Sequence, residues 1–460
     1  MFISSGGKVV HVHRDAIGDS AIDEGEIFDT VGVGFGPANI ALAVAHAECS
    51  SPRSLTFVEA NDGPAWQAGM IIDGSDIQHN PLRDFITPKN PCSPYGFLSY
   101  LKSEDRLFHF LNLDAPYPPR SDFARYVNWV ADQFKEQTHY SEAVAAISLC
   151  DDPASASGRR LVRVDTGSRS LWGRSLSFAP GRSKNIPEIF QPLLGDNVFH
   201  FTEYTGRRDL WKAGNAPKSV AVIGSSQSSV EIILDLRGSL PGTKTHSVFR
   251  KFSYVLKDTS PFTEDLLFPK FTDYFYNSSP ESKKQLNEQV LRSNYGSVDE
   301  DVLKELYFVL YENKVRGDSS ILVHNNREVI DATHRGAGVE LVLRDQHTGQ
   351  VETILVDAVI LATGFRNFGT AENEELCHPL LGDIADSYEK NEDGTLRVTR
   401  SYQAVPRDGH NAPPLVLNGL CESSHGLGDA GSFSLLSYRA FDIERALAEA
   451  LDPNSGVSCT

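Results

Sequence analysis

Two segments of this chain repeat one pattern: an apolar strand, a glycine-containing turn and an apolar helix. The first covers residues 27–46 and the second covers residues 218–236. Such a turn must let backbone N–H groups at the helix N-terminus approach a pyrophosphate, and glycine allows this without a Cβ clash. The repeat predicts an α/β chain with two Rossmann-like dinucleotide-binding domains.

The first turn contains Gly32, Gly34 and Gly36 directly after its strand, which is the context that a dinucleotide-binding motif requires. Glu59 stands at the end of the next predicted strand, where a carboxylate can accept hydrogen bonds from a ribose. The alternative is an ordinary tight turn with Glu59 exposed to solvent. Strand, glycines, helix and terminal acid together favour the nucleotide site.

The second turn has Gly224, followed by Ser226 at a position where glycine is usual. Serine is small, and its hydroxyl can donate a hydrogen bond to a phosphate. Arg250 and Lys251 follow the next predicted strand, and a basic side chain there favours the 2′-phosphate of NADPH over NADH. A charged surface loop is the alternative for these two residues.

The positions of the two turns in this chain of 460 residues predict one nucleotide-binding domain interrupted by another. The predicted first domain consists of residues 27–215 and 361–460, and the second consists of residues 216–360. Helical spacing of polar and aromatic residues at about 262–315 predicts a smaller helical substrate region within the second domain. Two dinucleotides in one chain indicate electron transfer from a nicotinamide to a tightly held flavin.

Composition excludes several classes of protein. The net charge of −18 argues against nucleic-acid and anionic-membrane binding, because both need a basic surface. No run approaches the ~18 apolar residues that a membrane span requires. The six cysteines form no C-x-x-C pair, so we expect free thiols, a cytoplasmic protein and no metal site.

An ordered set of further motifs resembles the flavin-dependent N-hydroxylating monooxygenases. The likeness covers nearly the whole chain after residue 27. Its motifs lie at residues 66–70, 78–87, 93–101, 120–129, 260–262, 294–295, 362–365 and 422–427. The ordered set is far more specific than any single motif.

The resemblance implies a reaction. In this family NADPH reduces FAD, O₂ then forms a C4a-hydroperoxyflavin, and the primary amine of a small substrate is N-hydroxylated. The amine must be neutral when it reacts, so the pocket has to lower its pKa by burial or by a nearby cation. The implied partners are a small amine substrate and O₂, and we expect a homo-oligomer, either a dimer or a tetramer.

The resemblance and the turn patterns together give two sets of cofactor-binding residues. The predicted FAD-binding residues are Gly32, Gly34, Gly36, Asn39, Glu59, Gln78, His425, Gly426 and Leu427. The predicted NADPH-binding residues are Gly224, Ser226, Gln227, Ser228, Arg250 and Lys251. The predicted catalytic residues are Gln78, near the flavin, and Asn294, which resembles an asparagine that bridges nicotinamide, substrate and intermediate.

Three residues bear on the substrate. Arg83 takes the place of a carboxylate-binding lysine of the ornithine and lysine enzymes, and Glu264 takes the place of an asparagine. Arg83 together with Arg439 predicts a small diacid, L-aspartate, whose amine is oxidised further to a nitro product. The alternative is the side-chain amine of L-ornithine or L-lysine, as in siderophore-type biosynthesis, with the carboxylate on Arg83 and the α-ammonium on Glu264. A diamine would suit Glu264 but would be repelled by Arg83.

Overall fold

A computed structural model describes residues 26–155 and 158–452. The predicted second part of the first domain, residues 361–460, is therefore described as far as residue 452. In chain order the strands are β1 (Ile27–Phe28), β2 (Thr30–Val33), β3 (Leu55–Val58), β4 (Thr138–His139), β5 (Val144–Asp151), β6 (Arg160–Thr166), β7 (Ser170–Gly173), β8 (Leu176–Phe178), β9 (Val198–His200), β10 (Ser219–Ile223), β11 (Lys244–Val248), β12 (Ile321–His324), β13 (Arg327–Arg335), β14 (Gly338–Asp345), β15 (Val351–Val356), β16 (Ala358–Leu361), β17 (Asn367–Phe368), β18 (Glu374–Glu375) and β19 (Leu415–Leu417). The helices are α1 (Pro37–Glu48), α2 (Phe97–Ser103), α3 (Leu107–Leu111), α4 (Arg120–Asp132), α5 (Tyr204–Ala213), α6 (Gln227–Ser239), α7 (Pro261–Glu264), α8 (Pro269–Tyr276), α9 (Pro280–Val290), α10 (Glu300–Arg316), α11 (Glu422–His425) and α12 (Leu436–Leu451).

Two five-stranded sheets form the framework of the molecule. The strand order is β19-β8-β2-β3-β4 in the first sheet and β12-β11-β10-β16-β9 in the second. Neighbouring strands are parallel throughout both sheets. The predicted α/β class with two Rossmann-like units is confirmed.

The second sheet contains a strand that the sequence assigns to the first domain. Strand β9 pairs with β16, and Val198 aligns with Val359. The second unit therefore begins before residue 198 and not at residue 216. The sequence does not indicate this boundary, because a strand of three residues carries no periodic pattern.

Both faces of the first sheet are covered, as is usual for parallel sheets. Val31 and Val33 lie in one core with Leu176. On the other face, Ile40 of α1 and Phe57 of β3 lie in a second core with residues of α2 and α4. The apolar strand and the apolar helix of the first motif are thus both buried, and their packing fixes the glycine turn between them.

Four helices, α7 to α10, form the helical region that the sequence predicts. The hydroxyl of Ser260 accepts a hydrogen bond from the backbone N–H of Thr263, and Pro261 occupies the first helical position, so α7 begins there. Helix α8 packs on α11, and α10 packs on α6. The helical region therefore contacts both the C-terminal part of the first unit and the second unit.

A buried ion pair links the two units. Nη1 and Nη2 of Arg120 in α4 lie 2.9 and 2.8 Å from the two carboxylate oxygens of Glu231 in α6. The same guanidinium donates to the carbonyl oxygens of Met70 and Asp76. Because the bidentate geometry is specific, the pair fixes α4 against α6.

The chain leaves the first sheet and returns to it through two extended segments that lie side by side. The backbone N–H of Asn185 donates to the carbonyl oxygen of Gly364 at 3.0 Å, and that of Arg366 donates to Ser183 at 2.8 Å. The outgoing and returning segments are therefore hydrogen-bonded to each other where they cross between the units.

Two further observations concern membrane spans and cysteines. No helix in the described ranges is long and apolar enough to cross a membrane. Cys92, Cys150, Cys377 and Cys421 are free thiols, whereas Cys49 is disulfide-bonded. The expectation that every cysteine would be a free thiol is therefore wrong at Cys49, because spacing along the chain does not report distance in space.

Candidate active site

The first glycine turn leaves room at the N-terminus of α1. Gly34 has a φ of +80°, and a Cβ there would collide with the carbonyl oxygen of Ala179 at the end of β8. Gly36 is the N-cap of α1, and a Cβ on it would meet no atom within 4 Å. No side chain caps this helix end, so its first backbone N–H groups can bind an anion. The turn fits the pyrophosphate of FAD.

Alanine substitutions at the two glycines should separate packing from cofactor binding. Gly34→Ala should destabilise the first unit by about 1–3 kcal/mol or more, since the added Cβ meets backbone at a strained φ. Gly36→Ala should leave the fold intact but weaken FAD binding, because its Cβ occupies the approach of the pyrophosphate. Flavin absorbance and the thermal unfolding midpoint measure the two effects. Equal losses in both variants would contradict this assignment.

Asn39 is fully buried and holds the first turn together. Its Nδ2 donates to the carbonyl oxygen of Gly34 at 2.7 Å, and its Oδ1 accepts from the hydroxyl of Ser177 at 2.7 Å. Oε2 of Glu59 accepts from the backbone N–H of Phe35 at 2.8 Å. Asn39 therefore positions the turn, and Glu59 lies beside it, where an acceptor for a ribose is expected.

The second turn repeats this construction. Gly224 has a φ of +139°, and a Cβ there would collide with the carbonyl oxygen of Ala362 at the end of β16. Ser226 is the N-cap of α6, but its hydroxyl does not cap the helix and so remains available to a phosphate. Gln227 differs, because its Oε1 accepts from the backbone N–H of Asp299 at 2.8 Å. Through this hydrogen bond Gln227 is engaged within the protein and stabilises the turn.

The basic residues after β11 lie at the same edge of the second sheet as the glycine turn after β10, because β11 and β10 are parallel neighbours. The side chain of Lys251 donates to the carbonyl oxygen of Gly296 at 2.6 Å. Arg250 is exposed, and its side chain has no partner among the described residues. Ser228 is half-buried in the first turn of α6. The edge fits NADPH, with Arg250 as the available cation.

Gln78 and His79 carry buried nitrogen atoms without partners. Gln78 has a φ of +60°, and its backbone N–H donates to Oδ1 of Asp76 at 2.9 Å. Nε2 of Gln78 and Nε2 of His79 have no hydrogen-bond partner in the described chain. Burial lowers the pKa of His79 to about 4, so this ring is neutral at pH 7. Because an unsatisfied buried polar group is costly, both atoms fit a ligand at the expected position of the flavin.

The side chains of Asn294 and Tyr295 lie against Gly431. Nδ2 of Asn294 is buried without a partner in the described chain, and a Cβ on Gly431 would lie 3.1 Å from it. The hydroxyl of Tyr295 donates to Oε2 of Glu422 at 2.7 Å and accepts from Nη1 of Arg182 at 3.0 Å. Burial raises the pKa of Glu422, and the charge of Arg182 opposes that shift. The network fixes Tyr295 and leaves the neighbouring amide available to a ligand.

One segment, residues 431–434, contacts several of the predicted site residues. Its first residue faces the amide just described. The ring of Phe433 stacks on His79, with 5.6 Å between ring centroids. The hydroxyl of Ser434 lies 3.4 Å from Nη1 of Arg83. This segment therefore brings the expected flavin, nicotinamide and substrate positions into one site.

Arg83 and Glu264 form an ion pair at the edge of this site. Nη1 of Arg83 lies 2.6 Å from Oε2 of Glu264, and the two side chains are 27% and 28% exposed. Both charges are therefore accessible to a ligand. A neighbouring cation and anion match the carboxylate and ammonium of an α-amino acid.

Arg439 has no such accessibility. It is buried in α12, where Nη1 donates to the carbonyl oxygen of Asp429 and to its carboxylate at 3.0 Å. Nε donates to Oδ1 of Asn418 at 3.1 Å. Because Arg439 is buried and its Nη1 and Nε are engaged within the protein, the structure favours a structural role and does not support the predicted substrate contact.

His425, Gly426 and Leu427 are predicted to bind FAD, and they lie in a packed segment. Nε2 of His425 donates to the carbonyl oxygen of Arg400 at 3.0 Å, and its ring stacks on Tyr402 at 4.1 Å between centroids. Burial lowers the pKa of His425 to about 4. Gly426 has a φ of +101° and Leu427 is buried. Their packing positions the backbone of this segment.

Arg182 lies beside these site residues, and no sequence motif predicts it there. Its guanidinium lies over the rings of Tyr295 and Phe365, at 5.4 and 5.3 Å from their centroids. Nη1 also donates to Oδ1 of Asn367 at 3.1 Å. One signal was present, since Arg182 follows a buried strand of a parallel sheet, and ligands bind at the carboxyl ends of such strands.

Comparison with known proteins identifies the family. A family model described as L-lysine 6-monooxygenase/L-ornithine 5-monooxygenase matches residues 26–367. The chain belongs to this family. The resemblance to flavin-dependent N-hydroxylating monooxygenases is thereby confirmed.

Individual members of the monooxygenase family are similar over nearly the whole chain. L-ornithine N(5)-monooxygenase of Pseudomonas aeruginosa is 32% identical over 436 residues, which cover 93% of this chain and 95% of the relative. The structure of ornithine N-hydroxylase from Kutzneria sp. 744 with reduced FAD, NADP⁺ and L-ornithine has a TM-score of 0.83 and 27% identity, and covers 92% of this chain and 99% of that one. L-lysine 6-monooxygenase from Pseudomonas syringae has a TM-score of 0.79 and 31% identity, and covers 92% of this chain and 100% of that one.

Proposed function

We propose that this monooxygenase uses FAD and NADPH to N-hydroxylate the side-chain amine of L-ornithine. The relative from Pseudomonas aeruginosa is named for ornithine oxidation, and the Kutzneria structure contains both cofactors and L-ornithine. The two glycine turns and the unpartnered amides of Gln78 and Asn294 support the same cofactors. The observation that carries the choice of substrate is the pairing of Arg83 with Glu264.

This pair suits the head group of an α-amino acid. Arg83 presents a guanidinium to the carboxylate, and Glu264 presents a carboxylate to the α-ammonium. The segment from Ser434, beside Arg83, to Gly431, beside Asn294, spans at most ~11 Å. A short aliphatic side chain can therefore extend from the head group toward the amide.

Other amines fit the site less well. L-aspartate needs a cation for each of its two carboxylates, but Arg439 is engaged by Asp429. Its second carboxylate would also face the charge of Glu264. A diamine has no carboxylate for Arg83. These contacts favour L-ornithine over L-aspartate, the substrate predicted from the sequence.

The residues of the chain have distinct roles in this proposal. Bound FAD would supply the activated oxygen for N-oxidation, held by the turn at Gly36, by Glu59 and by Gln78. Nδ2 of Asn294 would orient the ligand above it, and Phe433 would exclude water. The reacting amine must lose its proton, and burial of that amine away from water would lower its pKa.

An amine panel tests the proposal. Purified full-length protein is incubated with FAD, NADPH, O₂ and L-ornithine, L-lysine, L-aspartate or a diamine, and the hydroxylamine or nitro product is measured by mass spectrometry. We expect the N-hydroxylated product from L-ornithine. Product from L-aspartate with none from L-ornithine would refute the proposal. NADPH oxidation alone does not decide, because reduced flavin can also pass its electrons to O₂ to give H₂O₂.

Arg250 should set the preference for NADPH. Arg250→Ala should raise KM for NADPH about 10- to 100-fold, because a hydrogen bond to a charged group contributes about 1.5–3 kcal/mol. KM for NADH should stay nearly unchanged, since NADH lacks the 2′-phosphate. Lys212→Ala, at an exposed lysine of α5, is the matched control. Equal changes for NADPH and NADH would contradict this role.

A further inference from the structure

Four side chains next to Asn294 form a closed ring of hydrogen bonds. Nη1 of Arg182 donates to the hydroxyl of Tyr295 at 3.0 Å and to Oδ1 of Asn367 at 3.1 Å. The hydroxyl of Tyr295 and Nδ2 of Asn367 donate in turn to the two carboxylate oxygens of Glu422, at 2.7 and 2.8 Å. Arg182 is therefore the double donor of the ring, and Glu422 is its double acceptor.

The direction of every hydrogen bond in this ring is set by Arg182. A guanidinium can only donate, so the oxygen of the Asn367 amide must face it and the amide nitrogen must face Glu422. For the same reason the hydroxyl of Tyr295 accepts from Arg182 and directs its own proton to the carboxylate. Because both oxygens of Glu422 accept, the ring requires this carboxyl group to be ionised. Burial raises its pKa, whereas the charge of Arg182 and the two hydrogen bonds lower it.

The ring joins parts of the chain that are distant in sequence. Arg182 and Asn367 lie next to the two segments that cross between the units, Tyr295 precedes α10, and Glu422 begins α11. The side chains of Arg182 and Glu422 are only 13% and 6% exposed. Hydrogen bonds in such a shielded place are strong, and a partner that is lost there is not replaced by solvent.

The ring also fixes the backbone that carries Asn294. The loop of residues 292–298 is hydrogen-bonded at both of its ends to residues 255–258. Between these ends, the side chain of Tyr295 ties the loop to the ring. A Cβ on Gly431 would lie 2.4 Å from the hydroxyl oxygen of Tyr295, so the loop is closely packed there as well. The direction in which the Asn294 amide points therefore depends on a neighbour that the ring holds in place.

We propose that Glu422 is a positioning residue for Asn294. Through Tyr295 it holds the amide of Asn294 where that amide contacts the nicotinamide of bound NADP⁺, and Glu422 itself touches no ligand. The proposal rests on the role given to Asn294 in the proposed function. Its distinctive consequence is that the acceptor pattern of the side chain at position 422 matters, and not only its size.

Binding of NADP⁺ to the FAD-loaded full-length protein tests the proposal, followed by the change in flavin absorbance. Glu422→Gln keeps the size of the side chain but points an N–H group at a donor, so the Kd for NADP⁺ should rise about tenfold. Asn294→Ala should cause a similar rise. Glu422→Gln/Asn294→Ala should bind no more weakly than Asn294→Ala alone, because both changes remove the same contact. An unchanged Kd in Glu422→Gln, or a double variant that shows the product of the two single effects, would overturn the proposal.

An exchange of charge between two positions tests the ring itself. Asn367→Asp alone sets a second carboxylate against Glu422 and should also raise the Kd for NADP⁺. In Glu422→Gln/Asn367→Asp, the donor and the acceptor at these positions are interchanged, so all four hydrogen bonds can form again. The Kd should then return to within about twofold of that of the unmodified protein. A double variant that binds as weakly as either single variant would overturn the proposal.

Glu444→Gln is the matched control. Glu444 is 1% exposed in α12 and pairs with Arg53, so its substitution should lower the thermal unfolding midpoint and leave the Kd for NADP⁺ unchanged. Circular dichroism and flavin content check that each variant is folded. An equal rise of the Kd in Glu444→Gln would overturn the positioning role, because loss of any buried carboxylate would then suffice. These titrations contain no amine, so they can be read even if L-ornithine proves not to be the substrate.

Discussion

Arg83→Met should raise KM for L-ornithine about 10- to 100-fold, because a charge-assisted hydrogen bond contributes about 1.5–3 kcal/mol and each 1.4 kcal/mol is tenfold. Methionine fills similar space but cannot bind the carboxylate. The loss also leaves Glu264 without the guanidinium that lies 2.6 Å away, so the head-group site becomes purely acidic. Hydroxylamine formation at varied L-ornithine concentration measures the change.

Two further variants give this experiment its controls. Arg83→Lys keeps the charge but loses the planar fork, so its KM should lie between those of the unmodified protein and Arg83→Met. Glu264→Gln should weaken L-ornithine binding less, because the carboxylate anchor remains. Parallel measurement of NADPH oxidation separates poor substrate binding from poor flavin reduction. An unchanged KM in Arg83→Met would exclude this residue from the head-group site.

Arg120→Ala should lower the free energy of unfolding by about 3–5 kcal/mol, since it removes one partner of a buried ion pair. Both carboxylate oxygens of Glu231 lose their partner, and the carbonyl oxygens of Met70 and Asp76 lose a donor. The thermal unfolding midpoint of the purified protein measures the effect. We expect one of the largest decreases caused by any single substitution that leaves the glycine turns intact.

A partly exposed ion pair provides the comparison for Arg120. Arg174 and Asp29 lie 2.8 Å apart, with side chains that are 41% and 26% exposed, and Arg174→Ala should cost about 1 kcal/mol or less. Arg120→Met/Glu231→Met should recover much of the loss, because no buried charge is left unpaired. Equal midpoints for Arg120→Ala and Arg174→Ala would contradict the role of the buried pair.

The parts of the fold that the sequence predicts are those with a local physical cause. The turns at Gly34 and Gly224 are recognisable because a strand, a turn and a helix follow one another within about twenty residues. The structure explains both glycines in the same way, since a Cβ on each would collide with the carbonyl oxygen of the alanine that directly follows a neighbouring strand. Gln78 and Asn294 were found only through motifs that resemble a family.

The parts that the sequence does not predict depend on contacts between distant residues. Arg83 and Glu264 are 181 positions apart, so their charges are visible in the sequence but their pairing is not. Arg439 has the right charge to bind a substrate anion, but its guanidinium is paired with the buried carboxylate of Asp429. Arg182 stands in no motif, and its role depends on an aromatic ring from the helical region.

Because the chain enters and leaves the second unit at adjacent points, residues 185–364 can be exchanged as one block with that of a relative. Such a chimera would take the residues at positions 250 and 264 from the relative and keep Arg83 from this chain. The preference for NADPH over NADH, set at position 250, and the contact to the α-ammonium of the substrate, made at position 264, would therefore be transferred together. A natural recombination at these two junctions would change coenzyme and substrate in a single event.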